Sequence, residues 1–73
     1  MKIRSQDGTG IYEFGSAWIG KHPVCHIICG RSYSEEDAVI LGVYEDAARA
    51  RGVLMDIETA YQKKKSVFYM PEE

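Results

Sequence analysis

The feature that most constrains the fold is a change of hydrophobic period after Tyr44. Residues 38–44 read AVILGVY, a short β-branched run that is typical of a strand. Alternation along this strand predicts Val39, Leu41 and Val43 on one face, with Ile40 and Tyr44 on the other. Beyond it, apolar residues recur at offsets 0, 3, 4, 7 and 11, as in an amphipathic helix: Ala50, Val53, Leu54, Ile57 and Tyr61.

Polar residues at both ends of this stripe indicate where the helix begins and ends. Asp46 is a natural N-cap, because its carboxylate can accept hydrogen bonds from the first free amides. Lys63 to Lys65 place positive charge where the C-terminal end of the helix dipole favours it. Gly52 costs about 1 kcal/mol relative to alanine at an interior position, but neighbouring alanines favour the helix.

The first fourteen residues predict a β-hairpin. Ile3 and Ile11 alternate with polar neighbours on either side of Asp7-Gly8, a strong two-residue turn signal. Thr9, followed by a second glycine, leaves room for a longer loop. An N-terminal hairpin is therefore expected.

Further short strands are predicted in the middle and near the end of the chain. The segment VCHIIC lies between Pro23 and Gly30, and SVFYM is stopped by Pro71. A shorter strand is expected at 17–19. Strands followed by one helix and a last strand predict an α+β fold. We expect a small antiparallel sheet of four to five strands with one amphipathic helix on one face.

Length and charge restrict the class of protein. A chain of 73 residues predicts a single small domain, residues 1–73. The net charge of −2 and the dispersed basic residues disfavour a nucleic-acid-binding protein. No apolar run approaches the roughly 20 residues that span a bilayer, so no membrane contact is expected. MKIRSQDG lacks the apolar region of a signal peptide, which predicts a cytoplasmic protein with reduced cysteines.

The segment HPVCHIIC concentrates metal-ligand residue types: His22, Cys25, His26 and Cys29. Zinc sites, however, usually take their ligands from two pairs that are well separated in sequence. In a strand, the two cysteines face one side and the two histidines the other. The cysteines would lie about 13 Å apart at roughly 3.3 Å per residue. Small buried cysteines, with no metal and no cofactor, are the favoured interpretation, and a zinc site is the alternative.

No catalytic arrangement is evident in the sequence. Cys25 has His26 beside it, but adjacent residues of a strand point apart. The serines lack the context of a nucleophile elbow. The acidic residues 35–37 are interpreted as a solvated loop. We therefore predict a protein that is not an enzyme.

One helix can cover only one face of such a sheet. Ile40, Tyr44 and Trp18 are expected on the uncovered face, and exposed apolar patches of this kind usually mark an interface. This arrangement predicts a homo-oligomer. The alternative is a monomer in which strand twist and long loops cover the same side chains.

Two polar clusters are candidate ligand contacts. RSQD contributes Arg4 and Gln6, and GRSYS contributes Arg31 and Tyr33. A guanidinium beside an aromatic ring suits phosphates and stacked bases. The alternative is that these residues are solvated or cap turns, as polar loop residues usually do.

Three segments carry a family resemblance. IRSQDGTGIYEF, VILGVYEDAARARGVLMDI and VFYMPEE together resemble small, mostly uncharacterised proteins of Gram-positive bacteria, their prophages and phages. Members of that group open with an IRSQD-like strand, continue with LGxY and RAxxVLxxI, and close with VFxMP. Residues 16–37 match no pattern of the group. The resemblance implies a phage or prophage context and carries no residue roles.

Two functions are compatible with these expectations. The first is a small non-catalytic oligomeric binding protein that sequesters a nucleotide signal and so counters host defence. The second is an inhibitor or adaptor that binds a host protein through the uncovered sheet face. Solution mass separates them best, because a monomer would have no pocket between subunits.

Overall fold

The computed structural model describes residues 1–20, 22–32 and 37–73. Along these residues the chain forms six strands and one helix: β1 (Lys2–Arg4), β2 (Ile11–Glu13), β3 (Ser16–Gly20), β4 (His26–Arg31), β5 (Val39–Tyr44), α1 (Ala47–Gln62) and β6 (Val67–Tyr69). The α+β class and the order of strands, helix and strand are confirmed. The strands form two sheets of three, in the orders β2-β1-β6 and β3-β4-β5, where one sheet of four to five strands was expected.

The first sheet joins the two ends of the described chain. Ile3 of β1 lies opposite Tyr12 of antiparallel β2 and opposite Phe68 of parallel β6. The hairpin between β1 and β2 is confirmed, but its loop is longer than two residues, since Ser5 N–H donates to the Gly10 carbonyl at 2.9 Å. The parallel pair requires a long crossover, and the connection from β1 to β6 runs through β2 to β5 and α1.

The second sheet is antiparallel and contains a β-bulge. Ile28 lies opposite Gly42, whereas the next residue, Cys29, lies opposite Ile40. Leu41 is therefore the extra residue on β5, and an extra residue reverses the alternation beyond it. The predicted faces of Val43 and Tyr44 are wrong for this reason, whereas Ile40 and Leu41 lie on the predicted faces. Leu41 and Tyr44 are buried together, while Ile40 and Val43 lie on the exposed side.

Helix α1 packs its apolar stripe against β3, β4 and β5. Its buried residues are Ala50, Val53, Ile57 and Ala60. The predicted N-cap is confirmed, because Asp46 Oδ1 accepts from Ala48 N–H at 3.1 Å. Tyr61, which ends the predicted stripe, is half exposed and packs on Phe14 with ring centroids 5.3 Å apart.

The core lies between the helix and the two sheets. Ile3 from the first sheet meets Ile28, Leu41 and Tyr44 from the second, beneath the helix and Met70. Burying one such side chain contributes about 1.5–3 kcal/mol. No helix in the described ranges is long and apolar enough to cross a membrane.

Candidate functional site

The face of the β3-β4-β5 sheet opposite the helix is apolar. Strand register places five side chains there, because residues directly opposite each other share a face. Trp18 lies opposite Cys29, Cys29 opposite Ile40, and Ile27 opposite Val43. We call these five residues the outer face. Trp18, Ile40 and Val43 are 38%, 58% and 46% exposed, which is high for large apolar side chains.

The structure distributes the three expected interface residues unequally. Trp18 and Ile40 lie on the outer face, as the sequence predicts, although their role as an interface stays a prediction. Tyr44 does not, because the bulge at Leu41 turns it inward to 3% exposure. Its hydroxyl donates to the Pro71 carbonyl at 2.8 Å.

Val43 takes the place on the outer face that was assigned to Tyr44. One sequence signal pointed to this exchange. A glycine inside a strand, here Gly42, often marks a bulge. Strict alternation across Gly42 would instead place Tyr44 on the outer face.

Gln6 is a structural clamp and does not present a free amide to a ligand. Its Nε2 donates to the carbonyls of Val43 and Glu72, at 3.0 and 2.8 Å. Its Oε1 accepts from Val43 N–H at 2.7 Å. The amide thereby satisfies backbone groups on β5 and on the last segment of the chain. These bonds disfavour Gln6 as a ligand contact, and that role stays a prediction.

The remaining predicted ligand residues do not form one cluster. Arg4 is exposed on β1 and donates from Nη2 to the Gly8 carbonyl at 3.1 Å, which closes its own hairpin. Arg31 is exposed at the end of β4, in the other sheet. It lines a space of about 10 Å³ with Asp37, too small for a nucleotide. Tyr33 lies outside the described residues.

The histidine and cysteine segment is not a continuous strand. Strand β4 begins at His26, and residues 22–25 form a tight bend in front of it. This bend brings Cys25 Sγ within 3.2 Å of His22 Nδ1. The expectation that cysteines and histidines face opposite sides is therefore wrong for this pair. Cys29, by contrast, lies within β4 on the outer face.

An open cleft of about 580 Å³ lies beside the His22–Cys25 pair. Its lining is Ile19, Gly20, His22, Pro23, Cys25 and His26. Both cysteines are free thiols and partly exposed. Across residues 1–20, 22–32 and 37–73, no group of three or more His, Cys, Asp or Glu residues is arranged to hold a metal ion.

No protein-family model, curated protein or solved structure shows significant similarity to this chain. The features that bear on function are the outer face, the exposed Arg4 and Arg31, and the His22–Cys25 pair.

Proposed function

We propose that this chain is a small non-catalytic binding protein that self-associates through the outer face. The observation that carries the proposal is the exposure of Trp18, Ile40 and Val43 on one side of a three-stranded sheet. A contiguous apolar surface exposed to water favours association, because removing it from water contributes about 25 cal/mol per Å².

A second copy of the chain is the occupant that best suits this surface. None of the five side chains of the outer face is charged, and the charged Arg31 on the same side lies at the rim, so two copies can meet without burying an unpaired charge at the centre of the contact. Two antiparallel sheets packed face to face, about 10 Å apart, form a sandwich. A two-fold axis would place the same apolar patch on both sides of the contact.

Chain length gives a second reason for self-association. Domains below roughly 70–80 residues rarely obtain more than 3–5 kcal/mol from a single core. The chain has 73 residues, and its two cysteines are free thiols and form no disulfide. Association would add burial that the monomer lacks.

Within this assembly, we propose that the ligand is an anionic nucleotide. Arg31 follows Cys29 by two residues along β4, so alternation places it on the side of the outer face, at its rim. In a face-to-face pair, the guanidinium of each copy would lie at the edge of the contact. A planar guanidinium binds phosphate in bidentate fashion. Arg4, exposed on the first sheet, is a second and more distant candidate.

The phage or prophage context implied by the family resemblance suggests what such binding achieves. A stoichiometric protein that encloses a nucleotide signal removes it from a host defence pathway without any catalytic step. This version places the nucleotide between subunits, because the space that Arg31 lines within one chain is only about 10 Å³.

An inhibitor or adaptor acting on a host protein is the second candidate, and the same surface favours it. A standard protein interface takes about 800 Å² from each partner and is often centred on an aromatic anchor. Trp18, 38% exposed at one edge of the outer face, could serve as that anchor. This function requires the outer face to be free in the pure protein.

Solution mass with a matched pair of variants tests self-association. The experiment compares Ile40→Lys with Met55→Lys, which alters a similarly exposed apolar residue on the helix (58% and 66% exposed). We expect a dimer or larger species for the wild type and Met55→Lys, and a monomer for Ile40→Lys. A wild type that is monomeric at about 100 µM, far above a micromolar Kd, would contradict the assembly and favour the host-protein alternative.

Thermal shift with a panel of mono-, di- and cyclic nucleotides tests the ligand class. Ligand at a hundredfold excess over its Kd stabilises the bound state by about 2.7 kcal/mol. We expect a nucleotide-dependent shift that Arg31→Gln abolishes and Arg51→Gln, on the exposed side of the helix, leaves intact. Absence of any shift with the wild type would exclude the nucleotide version and leave self-association standing.

A further inference from the structure

We propose that Cys25 is a reactive thiol that uses His22 as its proton acceptor and forms mixed disulfides with small disulfides that enter the adjacent cleft. This inference is independent of the outer face and of any nucleotide. It assigns a covalent modification site to a part of the chain that the proposed function does not use.

The first support is the orientation of His22. Its Nδ1 accepts a hydrogen bond from Val24 N–H at 3.3 Å and lies 3.2 Å from Cys25 Sγ. A backbone N–H can only donate, so the proton of the neutral ring lies on Nε2, and the single lone pair of Nδ1 is shared between Val24 N–H and the Cys25 thiol. The thiol proton of Cys25 therefore faces a nitrogen that can take it, as in a nucleophile–base pair.

The second support is local rigidity. Pro23 stands between His22 and Val24, and its ring fixes one backbone torsion of the bend. Cys25 directly precedes His26, which the ladder between β4 and β5 places opposite Tyr44. Only Pro23 and Val24 separate the two reacting side chains, so their approach is set within this short bend and by its attachment to β4.

The third support is access. The pair borders the open cleft of about 580 Å³, and His22 is exposed while Cys25 is partly exposed. Cleft walls from Ile19 and Pro23 are apolar, so a small neutral disulfide could lie against them. A reactive thiol needs both an adjacent base and such access.

The proposed step is thiol–disulfide exchange. The Cys25 thiol transfers its proton to His22 Nδ1, which gives up the longer bond from Val24 N–H, and the thiolate attacks one sulfur of the incoming disulfide. A new S–S bond forms at Cys25 as the old S–S bond breaks. The departing thiolate takes the proton back from His22 and leaves as a thiol. Cys25 is oxidised, half of the disulfide is reduced, and no other co-reactant is needed.

Cys29 provides an internal reference in the same chain. It lies inside β4 between Trp18 and Ile40, in apolar surroundings. A cysteine packed among apolar side chains behaves as a small hydrophobe. The difference in rate between the two thiols therefore reports on their surroundings under identical conditions.

The experiment uses bis(2-hydroxyethyl) disulfide as the probe and site-resolved mass spectrometry as the readout. Rates are measured for the folded protein and for the chain unfolded in urea, where both thiols lose their surroundings. We expect Cys25 to react about tenfold faster in the folded protein than in the unfolded chain. A folded rate equal to or below the unfolded rate would overturn the proposal.

Two histidine variants separate base catalysis from simple access. His22→Asn keeps a polar side chain at the bend but removes the proton acceptor, and His26→Asn changes the other histidine that lines the cleft. We expect His22→Asn to slow Cys25 about tenfold, with His26→Asn and the Cys29 rate unchanged. Equal effects of both variants, or no effect of His22→Asn, would refute the role of His22. Far-UV circular dichroism confirms that each variant is folded, and the rates in urea should agree among all three proteins.

Discussion

The side-chain amide of Gln6 pairs with the backbone of Val43 in both directions. Nε2 donates to the Val43 carbonyl at 3.0 Å, and Oε1 accepts from Val43 N–H at 2.7 Å. Gln6 N–H donates in turn to the Leu41 carbonyl at 2.7 Å. The loop after β1 thus continues the hydrogen bonding of β5, and a third side-chain bond, to the Glu72 carbonyl, attaches the last segment of the chain.

Replacing Gln6 with alanine should destabilise the protein by about 1–3 kcal/mol, because three side-chain hydrogen bonds to backbone are lost. Urea denaturation measures the difference. Gln6→Glu should be at least as destabilising, since a carboxylate cannot donate to the carbonyls of Val43 and Glu72. Gln62→Ala is the control, because the side chain of Gln62 makes one long bond, 3.4 Å, to Glu58. Equal losses of stability for Gln6→Ala and Gln62→Ala would show that the side-chain hydrogen bonds of Gln6 do not stabilise the protein.

Removing the Tyr44 hydroxyl should reveal a pH-dependent contribution to stability. Burial raises the pKa of Tyr44 above its usual value of 10.0, and the positive charge of Arg49 opposes this by lowering it. A raised pKa means that the folded state favours the neutral phenol. Its contribution is therefore complete below about pH 10 and is lost as pH rises through the folded pKa.

Tyr44→Phe should therefore be less stable than the wild type by about 1 kcal/mol at pH 8, through loss of the bond to the Pro71 carbonyl. The difference in free energy of unfolding between the two proteins should become smaller above pH 10. Urea denaturation of both proteins at pH 8 and about pH 10.5 measures this difference. Other groups that titrate in this range are the same in both proteins, so their effects cancel. A gap that widens with pH would contradict the assigned direction.

Asp7 should make the protein sensitive to acid. The backbone N–H of Thr9 donates to Asp7 Oδ1 at 2.9 Å, and the hydroxyls of Thr9 and Ser5 donate at 2.7 and 2.8 Å. These bonds to the charged form lower the pKa of Asp7 from 3.8 to about 2. A lowered pKa gives a contribution that is present above about pH 4 and is lost as pH falls through the folded pKa.

Asp7→Asn should therefore lower the Tm at pH 7 and have a smaller effect near pH 2, where about half of the wild-type carboxylate is protonated. Thermal unfolding followed by circular dichroism at pH 7, 4 and 2 gives the dependence of Tm on pH for both proteins. The same dependence in both would mean that the hydrogen bonds of Asp7 in the loop do not contribute to stability.

Two glycines should respond to alanine in opposite directions. A Cβ at Gly30 would lie 2.6 Å from Leu41 Cδ1, in the buried core beside the bulge, so Gly30→Ala should destabilise by about 1–3 kcal/mol. A Cβ at Gly52, inside the helix, would meet nothing within 4 Å. Gly52→Ala should stabilise by about 0.5–1 kcal/mol. Urea denaturation compares the free energy of unfolding of both variants with that of the wild type. A Gly30→Ala variant more stable than the wild type would contradict the close packing of Gly30 against Leu41.

Elements with a strong local signal were predictable from the sequence. The spacing of Ala50, Val53 and Ile57 identified the buried side of the helix, and Asp46 identified where it begins. The hairpin followed from Asp7-Gly8 between two short alternating segments. Each of these signals depends on residues within about two helical turns or one tight loop of each other, where backbone geometry fixes which side chains meet.

Contacts that depend on pairing across the chain were not predictable. The bulge at Leu41 depends on how β5 pairs with β4, and it decides that Val43 lies on the outer face while Tyr44 is buried. The division into two sheets depends on β6 pairing in parallel with β1, more than sixty residues away in sequence.

The sequence by itself determined where the helix, the hairpin and the apolar strands lie along the chain, because hydrophobic periodicity and helix capping act over a few residues. Only the tertiary structure decided which of these side chains meet: Gln6 with Val43, Tyr44 with Pro71, and His22 with Cys25 at the bend before β4. Strand register and bends select one partner among many, and a one-residue shift sends a side chain to the opposite face.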